Sequence, residues 1–289
     1  MITSALISQL REMTAAGMMD CKTALVENNG DIQAAADWLR QKGIVKAAKK
    51  ADRVAASGLV AAAKSNDGTM GVIVELNAET DFVAKNDKFQ KLVADTTDKA
   101  LELGGDFDAV GSAMGDEIKN TIATIGENMT LRRIKAISGD AVYTYVHNAL
   151  VPGMGQIGVV VAINGDIAAS ADLGPKIAMH IAASKPDFAT IADIDPAAAE
   201  REKKVFVESG ATEGKPEQVK EKMIEGRLKK WYGESVLNEQ PFVMDPDHTV
   251  GAVLANAGLT LGGFAYYLLG EGIQKRDDNL ADEVAKMLK

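Results

Sequence analysis

Gly153-Met154-Gly155-Gln156-Ile157-Gly158 has the G-x-G-x-x-G spacing with which a glycine-rich turn brings backbone close to a dinucleotide's pyrophosphate. That chemistry needs a strand before the motif and a helix after it. Here the motif leads into the apolar run that ends at Ile163, so it reads as a hairpin turn. Gly210-Ala211-Thr212-Glu213-Gly214-Lys215 is one residue short of a phosphate loop, and Pro216 stands where a Ser or Thr must reach Mg²⁺. By this motif the chain is not itself a nucleotide hydrolase. His147, His180 and His248 are scattered, without zinc or triad spacing. His180 falls in the helical pattern of Ile177, Ala178, Ile181 and Ala182, where a core histidine is expected. Cys21 is the only cysteine, which excludes an intrachain disulfide and a cysteine cluster and suits a reducing compartment. No enzyme activity, cofactor or metal is expected.

The remaining chemistry is recognition. An apolar strand from Gly71 to Asn77 feeds straight into Ala78-Glu79-Thr80-Asp81-Phe82-Val83-Ala84-Lys85-Asn86, so a buried element delivers a large aromatic into a polar turn. Phe82 either folds back as a cap on the core or is presented to another protein. A repeat bears on the choice. Gly71-Val72-Ile73-Val74-Glu75-Leu76-Asn77 is echoed 87 residues later by Gly158-Val159-Val160-Val161-Ala162-Ile163-Asn164. Each copy is preceded by a second β-rich run, Gly58 to Ala63 and Val142 to Val146, and followed by a helical stretch, Lys88 to Leu103 and Pro175 to Ser184. The second copy has Gly165-Asp166-Ile167-Ala168 after its strand, with no aromatic. A residue that merely plugged a shared core would recur, which favours an exposed Phe82.

These half-domains need flanking elements. Leu6, Ile7, Leu10 and Met13 are helically spaced, Met18 to Asn28 resumes the pattern, and Asn29-Gly30 supplies a left-handed stop. Asp31 caps a third helix with Ile32, Ala35, Ala36 and Leu39 on one face and Gly43 at its end. So small a core leaves at least one of Met18 and Met19 facing outward, where a flexible thioether suits a protein surface. Residues 44–56, with Lys46, Lys49, Lys50 and Arg53, read as a basic helical linker. Residues 197–230 hold two highly charged helical runs split by Gly and Pro, a helical hairpin that is either a solvated arm or a dimerisation element. The expected fold class is α+β. Its parts are a three-helix module (1–43), the linker (44–56), half-domains at 57–140 and 141–270 with antiparallel sheets covered by helices, and a C-terminal helical module (271–289). A net charge of −9 argues against a surface built to neutralise phosphates, so no direct nucleic-acid contact is expected. The longest apolar runs are too short to span a bilayer, and a cytoplasmic setting is expected.

The chain resembles bacterial elongation factor Ts, the guanine-nucleotide exchange factor for the translational GTPase elongation factor Tu. The resemblance covers essentially the whole length. It is carried by Thr14-Ala15-Ala16-Gly17-Met18-Met19-Asp20-Cys21-Lys22, Thr80-Asp81-Phe82-Val83-Ala84, Ile125-Gly126-Glu127-Asn128, His180-Ile181-Ala182-Ala183 and Gln240-Pro241-Phe242-Val243-Met244. It implies a ubiquitin-associated-like N-terminal module, two core half-domains, a helical arm and a docking module at the C-terminus. By this resemblance Thr80, Asp81, Phe82 and Val83 would dislodge the Mg²⁺ of elongation factor Tu. Arg11, Met18, Met19 and Lys22 would grip its nucleotide domain together with Val243, Met244 and a last helix bearing Leu280, Val284 and Leu288, while Ile125 and His147 would add contacts near the wedge. Two positions depart from the family: Ala15 stands where Gly is usual, and the loop Asn148 to Gln156 is longer than its usual turn. The competing class is a scaffolding or dimerisation protein that uses the arm, with a homodimer as its product.

Overall fold

The computed structural model describes residues 2–14, 16–48 and 50–274. They divide into two units: the described parts of Met1–Ala61, Val74–Ile134 and Leu268–Lys289, and the residues Ala62–Ile73 with Lys135–Tyr267.

In the first unit, α1 (Ser4–Thr14), α2 (Met18–Glu27) and α3 (Ile32–Ala48) pack around Leu10, Cys21, Ala24, Leu25 and Ala35. Asn29 and Gly30 take left-handed φ of 53° and 86° after α2. The Asp31 carboxylate then accepts from the Ala34 N–H at 2.9 Å and starts α3. Met13, spaced as a core residue, is instead 55% exposed, because Leu10 one turn earlier already fills this small interior. β1 (Ser57–Lys64) and β2 (Met70–Ala78) form a hairpin whose turn end belongs to the second unit, and α4 (Asp81–Ala84), α5 (Asp87–Glu102), α6 (Phe107–Ile125) and β3 (Met129–Ser138) follow. Strand order in this sheet is β3-β2-β1. α3 does not end at Gly43. The missing side chain lets α3 meet α6, since a Cβ there would lie 3.1 Å from that of Ala123, and the helix continues to Ala48. Beyond it the backbone is held: Lys50 donates to the Gly126 carbonyl, and the Asn128 amide donates to the carbonyls of Ala51 at 3.3 Å and Arg53 at 2.7 Å.

β2 is buried along nearly its whole length and carries Glu75, whose side chain has no solvent exposure. Its carboxylate accepts from Arg133 Nε at 2.5 Å, Arg132 at 2.9 Å and the Gly270 N–H at 2.8 Å. Burial pushes this carboxyl up, but the Gly270 N–H and the two guanidinium groups outweigh that effect and hold it below the usual carboxylate range.

In the second unit, β4 (Ala141–His147) pairs antiparallel with β6 (Ile157–Asn164), Ala141 opposite Ile163 and His147 opposite Ile157. Between them lies the two-residue β5 (Met154–Gly155), and the Gly153 carbonyl accepts from the Ala62 N–H at 3.0 Å. α7 (Ile167–Ser184) begins eight residues before the expected start at Pro175, because Asp166 caps it through the Ala168 N–H at 2.9 Å, and Pro175 lies inside the helix. α8 (Pro196–Glu208) and α9 (Glu217–Ser235) form the helical hairpin, joined by the Arg227–Glu202 ion pair at 2.6 Å. β7 (Pro241–Phe242), β8 (Asp245–Thr249), α10 (Val250–Asn256) and β9 (Thr260–Leu268) complete the described chain, with strand order β4-β6-β9. Val159, Val161 and Ile163 pack with Ile177, Ile181, Leu237, Phe242 and Leu254. On the opposite face Gly71 lets the β1–β2 turn end approach Val142 and Val160. The expected C-terminal helix bearing Leu280, Val284 and Leu288 lies outside the described residues.

Glu75→Gln keeps the shape but removes the charge that neutralises two arginines, and is expected to destabilise the protein by about 3 kcal/mol at pH 7. Because the folded carboxyl titrates below its free value of 4.5, its contribution is complete above that pH and is lost as pH falls below it. Denaturant unfolding at pH 7 and pH 4 should show the gap between parent and variant narrowing in acid; a constant gap would contradict the ion pair's role.

Candidate functional site

β2 ends at Ala78, and the chain turns at once into the single-turn helix α4. Val83 and Ala84 are buried there at 4% and 8% exposure, whereas Asp81 is exposed and Phe82 is 78% exposed. The structure therefore excludes Phe82 as a cap on the core. Thr80, the extended residue before α4, donates its N–H to Glu127 Oε2 at 2.9 Å and its hydroxyl to Glu127 Oε1 at 2.7 Å. In return the Asn128 N–H donates to Glu79 Oε1 at 2.6 Å, and Arg53 lies 3.5 Å from the same carboxylate. Gly126 supplies the left-handed stop of α6 at φ 94°, which brings Glu127 to this point, and Ile125 is half-buried in the last helical position. At the far end of the turn, the Gln90 amide donates to the Ala84 carbonyl at 2.9 Å and Asn86 caps α5.

The other expected residues of the first unit are on its surface. Met18 and Met19 are 60% and 69% exposed, and exposed Lys22 lies one helical turn beyond Met18. Arg11 is exposed on α1 and lines a surface hollow with Ser8, Glu12 and Lys88, the second residue of α5.

The remaining candidates belong to the second unit. His147 ends β4, exposed, with Nδ1 3.1 Å from the Tyr145 hydroxyl. Val243 and Met244, about half exposed, form the turn between β7 and β8. That turn is held by His180, only 1% exposed, whose Nδ1 accepts from the Val243 N–H at 3.2 Å. The ring proton is thereby assigned to Nε2, which donates to Gln240 Oε1 at 2.9 Å. Gln240 in turn donates to the Glu234 carbonyl at 2.7 Å. Burial lowers the His180 pKa, and the bond to Gln240 offsets only part of the effect. The core role expected for His180 holds, and the tertiary structure adds that it positions the Val243–Met244 turn.

The nucleotide-like glycine motifs are structural. Gly153 opens the turn that leads into β6, and the Gly210–Gly214 segment joins two helices with no strand before it. Among the described residues no group of three or more His, Cys, Asp or Glu could hold a metal ion, and no helix is long and apolar enough to cross a membrane. Glu79 and Glu127 are the residues that sequence reasoning missed. Their signal was an acid just after one strand and another just before its neighbour, a pattern readable only once β2 and β3 are known to be adjacent.

The family model described as elongation factor TS matches residues 79–271. The chain is 56% identical over 297 residues to elongation factor Ts of Hyphomonas neptunium, with 100% of this chain and 98% of the relative covered. It is 52% identical over 291 residues to elongation factor Ts of Paracoccus denitrificans, covering 99% and 98%. Against elongation factor Ts of Caulobacter vibrioides it is 50% identical over 305 residues, covering 99% and 98%.

His180→Ala leaves the Val243 N–H and Gln240 Oε1 without partners and is expected to cost about 1–3 kcal/mol. The folded ring titrates below its free value of 6.5, so the stabilisation is complete above that pH and declines as pH falls below it. Unfolding measured from pH 7.5 to 5.5 should show the parent losing stability with a slope that the variant lacks; equal slopes would remove His180 as the cause.

Proposed function

The chain belongs to the elongation factor Ts family of translation elongation factors, and from that premise we propose that it is a guanine-nucleotide exchange factor for elongation factor Tu. It binds the GDP-loaded GTPase, wedges Asp81 and Phe82 into the nucleotide domain, disturbs the shell around the partner's Mg²⁺ and promotes GDP release. The observation that carries this reading is a phenylalanine 78% exposed on a turn whose next two residues, Val83 and Ala84, are buried. A large apolar side chain held out by a fixed backbone suits insertion into another protein's groove.

No bond chemistry is needed. A factor that prefers the nucleotide-free GTPase weakens nucleotide binding by the same factor, by linkage. Loosening a nucleotide a thousandfold takes about 4 kcal/mol of differential binding. Burying Phe82 supplies roughly 2–3 kcal/mol of that, and loss of Mg²⁺ coordination adds to it, because the ion is often the largest local charge in such a site. Met18, Met19 and Lys22, exposed on α2, and Arg11 on α1 offer a second contact area in the same unit. Ile125 is assigned to the surroundings of the wedge, and His147, Val243 and Met244 to further contacts from the second unit.

The test is stopped-flow release of a fluorescent GDP from elongation factor Tu. The parent should accelerate release strongly, and Phe82→Ala should lower that acceleration by roughly 30- to 150-fold, the equivalent of one buried Phe, with an unchanged melting temperature. A scaffolding protein acting through α8 and α9 would give no acceleration and would tolerate the substitution.

A further inference from the structure

Two strand ends, after β2 and after β6, are closed by exchanged side-chain-to-backbone hydrogen bonds, and the one beside Phe82 carries one bond more. After β2, the Thr80 N–H goes to Glu127, which stands just before β3, while the Asn128 N–H goes back to Glu79. After β6, the Gly165 N–H goes to Asp140, which stands just before β4, at 2.9 Å, while the Asp140 N–H goes back to Asn164 at 3.1 Å. In both cases a side chain from each segment closes the backbone of the other. The exchange joins β2 to β3 in the first copy and β6 to its own hairpin partner β4 in the second, so it occurs at non-equivalent strand pairs, one of them with no aromatic beside it. The strand end beside Phe82 adds a hydroxyl: Thr80 donates it to Glu127 at 2.7 Å, whereas the N–H donor after β6 is Gly165, which has no side chain and pairs with Ala78 in the 87-residue repeat.

We propose that the Thr80 hydroxyl bond to Glu127 is a positioning element that aims Phe82, and that Thr80 acts through α4 instead of touching the partner. The inference rests on the exchange-factor reading above. α4 has four residues, too few to sustain a helix on its own. Phe82 is too exposed for packing to orient it. The direction of α4 is therefore set at its two ends. Buried Val83 and Ala84 anchor the far end, and Thr80 anchors the near one. A single bond to the Thr80 N–H leaves the turn free to pivot about it; a second bond to the other oxygen of one carboxylate removes that freedom. The hydroxyl so used does not cap α4, where no side-chain bond to the first turn is made. Glu127 is a firm base for this purpose, because the next residue, Asn128, is 5% exposed and holds the carbonyls of Ala51 and Arg53.

The experiment compares Thr80→Val, which removes only the hydroxyl, with Thr80→Ser, which retains it, each alone and combined with Phe82→Ala. Thr80→Val should leave the melting temperature near that of the parent and slow GDP release from elongation factor Tu about 10-fold, the worth of one hydrogen bond to a charged group. Thr80→Ser should keep most of the activity. Added to Phe82→Ala, Thr80→Val should cost nothing further, since there is no aromatic left to aim. An undiminished rate in Thr80→Val, or an equal loss in both backgrounds, overturns the proposal. Hydrogen exchange of the free protein separates this from failure of the exchange-factor reading. Amides of residues 81–85 should exchange about 10-fold faster in Thr80→Val and not in Thr80→Ser. Unchanged protection overturns the positioning role even if the parent releases no GDP, and faster exchange together with an inactive parent sinks the exchange-factor reading alone.

Discussion

A carboxylate without solvent exposure in the middle of a buried strand is the constraint on which the first unit depends. Unpaired, Glu75 would be driven to protonate there, because taking a carboxylate out of water costs several kcal/mol. It draws Arg132 and Arg133 from β3, which fixes β3 as the neighbour of β2, and it takes the Gly270 N–H, which fixes where the chain returns after β9. With β3 beside β2, Glu127 and Asn128 reach Thr80 and Glu79. The turn that carries Phe82 is thus the downstream end of an arrangement set by a buried charge five residues earlier.

The duplication shows how one frame supports two surfaces. Both copies use a hairpin with a helix behind it, and each strand end exchanges side-chain-to-backbone bonds with a neighbour, β2 with the segment before β3 and β6 with the segment before its hairpin partner β4. They diverge immediately beyond the strand. In the first, an isolated turn precedes α5 and holds out an aromatic; in the second, Asp166 caps α7 directly and the exposed residue is Ile167. Buried polar groups do comparable work elsewhere. His180 and Gln240, both nearly inaccessible, satisfy each other and fix the turn that presents Val243 and Met244. In each case the exposed apolar residues sit on backbone that a satisfied polar network holds, so the ordering cost of binding is met during folding.

Much of this was legible in the residues. The duplicated apolar runs mark β2 and β6, helical spacing marks the three N-terminal helices, and Asn29-Gly30 marks the stop between the second and third. The charged runs flanking Gly210 and Pro216 mark the α8–α9 hairpin, and the missing aromatic in the second copy argued correctly for an exposed Phe82. These signals are local: periodicity, caps and turn residues act within one or two turns of chain. α6, β3, α10 and β9 stand outside the repeated runs and stop signals, although in α6 the helical spacing of Val110, Met114, Ile118 and Ile122 is itself regular. The end of α3 was misread because Gly43 serves as a contact surface for Ala123, a purpose that a helix-stop rule does not consider.

The sequence by itself determined the element types of the repeated core, the failure of both glycine motifs to match a nucleotide loop, and Phe82 as the residue to explain, because each depends on neighbours along the chain. The tertiary structure alone decided which polar groups meet: Glu75 with two arginines, Glu127 with Thr80, His180 with Gln240 and Val243. Those pairs are separated by 47 to 63 residues, and nothing in composition or spacing encodes them. They arise because burying the apolar strands and helices brings polar groups out of water, and each must then find its partner among whatever segments the packing has delivered.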